Sequence, residues 1–226
     1  MRTLDQINEI QEYETPPEVL QGVVSKAQIK FLLDYYNKSD NIIEKNTGPK
    51  VLYVKEGDGI IDDIVFDLRI KYGDFTIRSA HFFDVNKPHI IHNDDEKELP
   101  LVYKAFTIPL WCEGNDKDIG LVMYDQFYYY GPAKFVNGET QDAPVYYNEF
   151  VRDYSNVHYT SIDKIKNKTD LSHLRESWLK GLSIHSIMPW TIGNILSFES
   201  LRLHSSTNFV SKGIPRKIGL SIFTVK

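Results

Sequence analysis

The sequence predicts a mainly β protein, a sandwich or jelly-roll barrel with flanking helices, and three observations point there. Aromatic residues are 13 % of the 226-residue chain, with 14 Tyr and 12 Phe, a composition that leans toward pleated sheet. From Val51 onward the chain is a series of short apolar runs divided by turn chemistry, as in Gly57-Asp58-Gly59, Tyr72-Gly73-Asp74 and Glu113-Gly114-Asn115-Asp116. Helical spacing is concentrated in the first forty residues, and many short strands behind a helical start make a sandwich or jelly roll.

Taken in order, Leu4, Ile7 and Ile10 recur at helical spacing until Pro16-Pro17 stops them. Ser25 followed by Gln28 is a capping box, opening a helix with apolar positions Ile29, Phe31, Leu32, Leu33, Tyr35 and Tyr36. The polar stretch 37–50, with Gly48-Pro49 as a turn signal, closes it. Strands are expected over 51–54, 64–70, 76–83, 103–111, 120–124, 191–198 and 217–225. A late helix is expected from Asp170 as N-cap, with Leu171, Leu174, Trp178 and Leu182 on one face. The chain reads as one domain over 1–226: a helical part, 1–50, then a β core, 51–226, carrying a polar and less regular insertion near 131–168.

Composition removes several function classes. With 31 acidic side chains against 26 Lys and Arg, the formal charge is −5, so no broad positive field exists to wrap duplex DNA or an anionic membrane. The single cysteine, Cys112, excludes an intrachain disulfide and any Cys-based zinc or iron–sulfur site. No apolar run exceeds four residues, far short of the ~20 of a membrane helix, and Met1-Arg2-Thr3-Leu4-Asp5 has no signal-peptide core, so the expected compartment is the cytoplasm. Phosphate-loop, dinucleotide-turn, His-Glu-x-x-His and Gly-x-Ser-x-Gly motifs are all absent.

What remains is histidine and carboxylate. His92-Asn93-Asp94 is the one His-x-Asp in the chain. In an extended segment residues two apart share a face, so an imidazole and a carboxylate can take adjacent corners of a metal's coordination shell; the other reading is a hydrated acidic loop. A 2-His-1-carboxylate face with open positions suits non-haem Fe(II). Near the C-terminus, His204 is followed by a turn at Lys212-Gly213-Ile214-Pro215 and a final strand. There Ile218, Leu220 and Ile222 form an apolar face, while Lys217, Gly219 and Ser221 form the other. That second face has the means to hold a carboxylate, with charge from Lys217, room at Gly219 and a hydroxyl from Ser221, or it is a solvent face. His81, His89, His158, His173 and His185 read as packed or solvated, and Phe127-Tyr128-Tyr129-Tyr130 as core or as a substrate mouth.

In order and spacing, His92-x-Asp94, then Gly193-x5-Glu199-x4-His204-Ser205-Ser206-x-Asn208-Phe209, then Lys217-x-Gly219-x-Ser221, resembles the 2-oxoglutarate- and Fe(II)-dependent oxygenases. The prolyl-hydroxylase-like and phytanoyl-hydroxylase-like members are the most similar in pattern. The resemblance implies a double-stranded β-helix, cupin-like in form, with Fe(II) on His92, Asp94 and His204. It implies 2-oxoglutarate on the iron, O2 as oxidant, and a basic last-strand residue on the far carboxylate of the cosubstrate. The commonest pattern has Arg about ten residues after the distal histidine; here Arg216 is twelve on and Lys217 thirteen. Lys217 is the expected anchor because its i+2 neighbour is Gly219, whereas that of Arg216 is Ile218. Tyr103 resembles a hydroxyl donor to the cosubstrate. The implied activity is hydroxylation of a C–H bond in a small-molecule or amino-acid-like substrate, since halogenating relatives lack the carboxylate that Asp94 provides. Two rivals are a non-catalytic jelly-roll module binding a sugar or small acid, and a cupin-like metalloenzyme that does not use 2-oxoglutarate.

Overall fold

Two antiparallel sheets pack face to face in the computed structural model, which describes residues 2–45, 49–95, 102–114, 119–129, 170–179 and 182–226. In chain order the elements are α1 (Leu4–Glu12), β1 (Glu18–Leu20), α2 (Lys26–Lys38), β2 (Ile43–Glu44), β3 (Lys50–Val54), α3 (Asp62–Tyr72), β4 (Thr76–Val85), β5 (Val102–Cys112), β6 (Gly120–Phe127), α4 (Glu176–Leu179), β7 (Ile184–Pro189), β8 (Ile195–Glu199), β9 (Arg202–Ser206) and β10 (Lys217–Val225). The larger sheet runs β1-β8-β5-β10-β4-β3-β2 and the smaller β7-β6-β9, a jelly roll.

Both early helices start where the sequence places them. Thr3 and Ser25 each accept a hydrogen bond from the backbone of a residue three on, Gln6 or Gln28, whose side chain returns the bond. Helices α2 and α3 cover the outer face of the larger sheet, where Leu32, Tyr36, Ile64, Val65 and Leu68 pack on Phe82, Phe106, Ile218, Leu220 and Ile222. A second layer lies between the sheets, built from Ala105, Leu121, Met123, Trp190, Phe198, Phe209 and Phe223.

Three expectations are corrected. Residues 64–70 are not a strand but the body of α3, which buries Ile64, Val65 and Leu68 and leaves Phe66 and Ile70 exposed. The end charges are the helical signal the alternation hid: Asp62 and Asp63 in the first turn, Arg69 and Lys71 in the last, each favourable to the helix dipole. The helix closes at Gly73, whose φ of 74° places it in the left-handed region. The described part of the late helix is α4, Glu176–Leu179, and the Asp170 carboxylate, six residues before it, accepts from the Ser172 amide and hydroxyl in a local turn instead of capping it. Strand β8 begins at Ile195, since a turn through Gly193 (φ 88°) occupies 191–194. The 131–168 insertion, His158 and Tyr130 lie outside the described residues.

Strand β10 lies between β4 and β5, and its pairing slips on both sides at one height. Phe223 pairs with Ser79 and Thr224 with Ile77, passing over Arg78. Across the other edge Phe223 pairs with Ala105 and Val225 with Val102, so Tyr103 and Lys104 bulge opposite Thr224. The Thr224 hydroxyl occupies that bulge, accepting from the Lys104 amide and donating to its carbonyl. A bulge reverses the facing of the residues beyond it. Tyr103 therefore stands on the helix-covered face of the larger sheet, against the outer core.

Candidate metal centre

A cavity of about 290 Å³ opens between the sheets. One wall carries His92, Asp94 and His204; the opposite wall carries Lys217, Ser221 and Thr107. His92 and Asp94 lie on the segment after β4, and His204 is central in β9. His92 and His204 are antiparallel partners, with each amide donating to the other's carbonyl at 2.9 Å. The Asp94 amide donates to the Ser200 carbonyl at 2.8 Å, and Arg78 donates to the Asp94 carbonyl at 2.9 Å. Backbone bonds thus fix all three residues before any side chain is considered.

One ligand atom from each of the three falls within a 4.8 Å group. His92 Nε2 is 3.6 Å from Asp94 Oδ1, and His204 Nε2 is 3.5 Å from Asp94 Oδ2, too long for good hydrogen bonds. His92 Nδ1 donates to the Ile90 carbonyl at 2.8 Å and His204 Nδ1 to the Arg202 carbonyl at 3.0 Å. A carbonyl only accepts, so Nδ1 carries a proton on both rings and each Nε2 is turned toward Asp94, the arrangement a metal requires. Burial pushes the His204 imidazole down to about 4 and raises the Asp94 carboxyl, the latter opposed by His92 and Arg78. A buried carboxylate beside two imidazoles is a donor set that a divalent cation fits.

Across the cavity, Lys217 is 3 % exposed, with its ammonium 3.9 Å from the Trp190 ring centroid and 4.8 Å from that of Phe209. No carboxylate among the described residues pairs with it, and burial pushes its pKa down to about 7. Ser221 and Thr107 are cross-strand partners, which places their side chains on the same face of the sheet. The Trp190 indole N–H is buried without a hydrogen-bond partner. A cation, two hydroxyls and an unsatisfied indole N–H around one space form a site that an anion completes.

Other expected residues stand elsewhere. Arg216 points to the outer face, where its guanidinium makes two 2.7 Å bonds to Asp84. Tyr103 lies away from the cavity and its hydroxyl donates to the Tyr72 carbonyl at 3.4 Å. Gly219 offers no room: an added Cβ would stand 2.5 Å from Phe83 Cζ and 2.9 Å from Trp190. Its lack of a side chain lets two rings close the sheet surface and does not open a space for a carboxylate.

Thr107 and Trp190 are cavity residues the sequence reading passed over. Thr107 had a signal, as the lone polar side chain between Phe106 and Ile108 in an apolar run. Trp190, in the turn after β7, had none.

No family model matches the sequence, and no curated protein is similar to it. Solved structures do share its fold. The chain is similar to the non-heme α-ketoglutarate-dependent carbocyclase SnoK from nogalamycin biosynthesis (TM-score 0.54, 11 % identity, 99 % of this chain and 84 % of that one). It is similar to HygX from Streptomyces hygroscopicus, solved with nickel and 2-oxoglutarate (0.51, 8 %, 100 % and 87 %). A Pseudomonas putida prolyl-4-hydroxylase gives 0.51, with 10 % identity over 98 % of this chain and 97 % of that one. The jelly roll described above is thus the fold of non-heme 2-oxoglutarate-dependent enzymes. Their reactions differ, cyclisation in one and hydroxylation in another. No helix among the described residues is long and apolar enough to cross a membrane.

Proposed function

We propose that this protein is an Fe(II)- and 2-oxoglutarate-dependent dioxygenase, a single domain over 1–226, hydroxylating a C–H bond of a small-molecule or amino-acid-like substrate. One observation carries the reading: a His-Asp-His group and a buried lysine without a carboxylate partner face one cavity. His92, Asp94 and His204 would hold the iron. Bound there, Fe(II) supplies open coordination positions and the redox chemistry by which 2-oxoglutarate, O2 and R–H become succinate, CO2 and R–OH.

The chain's own residues bind, orient and keep the site dry. Lys217 takes the far carboxylate of 2-oxoglutarate, which restores the charge that burial disfavours, and Ser221, Thr107 and the Trp190 N–H offer further donors. Phe209, Phe83 and Leu121 form apolar wall around it. Arg78 steadies the metal segment through the Asp94 carbonyl. The carboxylate ligand Asp94 supports hydroxylation over halogenation. Arg216 and Tyr103 have no part in cosubstrate binding under this reading.

Anaerobic titration tests it. A visible charge-transfer band is expected when Fe(II) and 2-oxoglutarate are both present, and it disappears in His204→Ala. Tight iron binding with no band would transfer the protein to the cupin-like reading. Folded protein that binds no iron would reduce it to a binding module.

A further inference from the structure

The net charge of the chain is −5, yet the described lining of the cavity inverts that balance. Besides Lys217 it includes Lys45 and Lys87, and Asp94, already assigned to the metal, is its one carboxylate. Among exposed lysines, Lys30 pairs with Asp34 and Lys71 with Glu18, each at 2.9 Å, while Lys26, Lys38, Lys50 and Lys55 on the open surface have no ion pair among the described residues; what distinguishes Lys45 and Lys87 is that they line the cavity. Lys45 and Lys87 pair with no carboxylate among the described residues. The Lys45 ammonium lies 5.8 Å from the centroid of the Tyr53 ring, which is 5.4 Å from that of His81. His81 is the cross-strand partner of Ser221, and its Nδ1 is buried without a hydrogen-bond partner. Burial and the positive charges of Lys45 and Arg78 keep that imidazole neutral, with a pKa near 4. Two unpaired cations and an unsatisfied ring nitrogen therefore border the cavity on the β3–β4 side, separate from the aromatic enclosure of Lys217.

We infer that the substrate is an organic anion, and that Lys45, Lys87 and His81 form the subsite that receives its carboxylate, sulfonate or phosphate group. The inference rests on the cavity being the reaction site proposed above. Lys45 and Lys87 supply attraction from the mouth, strengthened because one wall of the subsite is low-dielectric ring. His81 supplies a directional hydrogen bond. Phe223, whose ring centroid is 5.5 Å from that of His81, lines the cavity and gives a flat wall suited to a planar or ring-bearing body.

The test uses benzenesulfonate, a weak metal ligand, against its neutral analogue methyl phenyl sulfone. Each is titrated calorimetrically into the full chain, both metal-free and loaded anaerobically with Fe(II) and 2-oxoglutarate. The sulfonate is expected to bind the loaded protein at least about tenfold more tightly than the sulfone. Lys45→Glu/Lys87→Glu is expected to abolish that preference, and Lys45→Gln/Lys87→Gln to reduce it partway. 2-Oxoglutarate affinity should stay within about threefold in both, because Lys217 is untouched. Equal binding of the two probes, or a preference that survives charge reversal, overturns the inference. So does a variant that loses sulfonate and 2-oxoglutarate together, since the anion would then have been reading the Lys217 site. If the loaded complex never forms but metal-free protein keeps the preference and loses it on charge reversal, the anion subsite stands and the oxygenase reading falls.

Discussion

Adjacent residues on β10 show what the two faces of the larger sheet are for. Arg216, just before the strand, turns outward to Asp84, which also accepts from the Tyr36 hydroxyl at 3.1 Å. That ion pair is satisfied on both sides and ties α2 to the sheet through Tyr36. Lys217 turns inward, with two aromatic rings and no carboxylate. The Arg216–Asp84–Tyr36 group is complete as it stands; the inner face keeps a buried cation, two hydroxyls and an indole N–H in reserve. Incomplete polar groups gathered around one cavity mark a place where something else can bind.

That contrast can be broken at several points, and the largest effect is expected at the metal. His204→Ala should weaken Fe(II) binding on the order of 100-fold or more while far-UV circular dichroism is retained. Lys217→Met comes next. It should lower 2-oxoglutarate affinity by about 10- to 100-fold, read from the charge-transfer titration, and leave unfolding stability unchanged or raised. Arg216→Ala should do the reverse: stability falls by about 1–3 kcal/mol in urea, because Asp84 is buried and left with Tyr36 alone, and cosubstrate affinity stays intact. Gly219→Ala should cost about 1–3 kcal/mol, as the new methyl meets the Phe83 and Trp190 rings.

The last test is a pH dependence. Lys217 titrates near 7 when folded, below its ordinary value of 10.5. Between those values the unfolded chain binds the extra proton, so stability of the metal-free protein should rise with pH from about 7 to about 10.5. The rise should be absent in Lys217→Met. Affinity for 2-oxoglutarate should move the other way and fall above pH 7 as the lysine loses its charge. A parallel pH slope in the two proteins would remove Lys217 from the account.

Much of this was legible in sequence, for reasons that can be named. Strand β10 alternates without interruption from Lys217 to Ile222, so its two faces followed from counting. The capping box at Ser25 is local chemistry. Helix α3 was misread because Ile64-Val65-Phe66-Asp67-Leu68-Arg69-Ile70 fits both a period of two and one of 3.6, and only its end charges separate them. Strand β9 was missed because Arg202, Ser205 and Ser206 are polar yet buried, satisfied by Glu199 nearby and by Tyr124 and His89 far away in sequence. Gly219 was read correctly as small and incorrectly as empty, since the rings that fill the place come from β4 and the turn after β7. Tyr103 was the subtler failure, an accurate count of alternation carried across a slip in pairing that no residue type announces.

The double slip beside Phe223 to Val225 works as a change of phase. On one side of it Ala105 and Thr107 of β5 face between the sheets; on the other Tyr103 faces the helices. On β4 the residue passed over is Arg78, freed from strict alternation to reach the metal segment. The slip is thus a boundary as well as an irregularity, setting how far along β10 the chemistry extends. Removing one residue at Tyr103 or Lys104 would not merely shorten a strand. It would carry the inward-facing register to the end of the sheet, with everything beyond the deletion looking the other way.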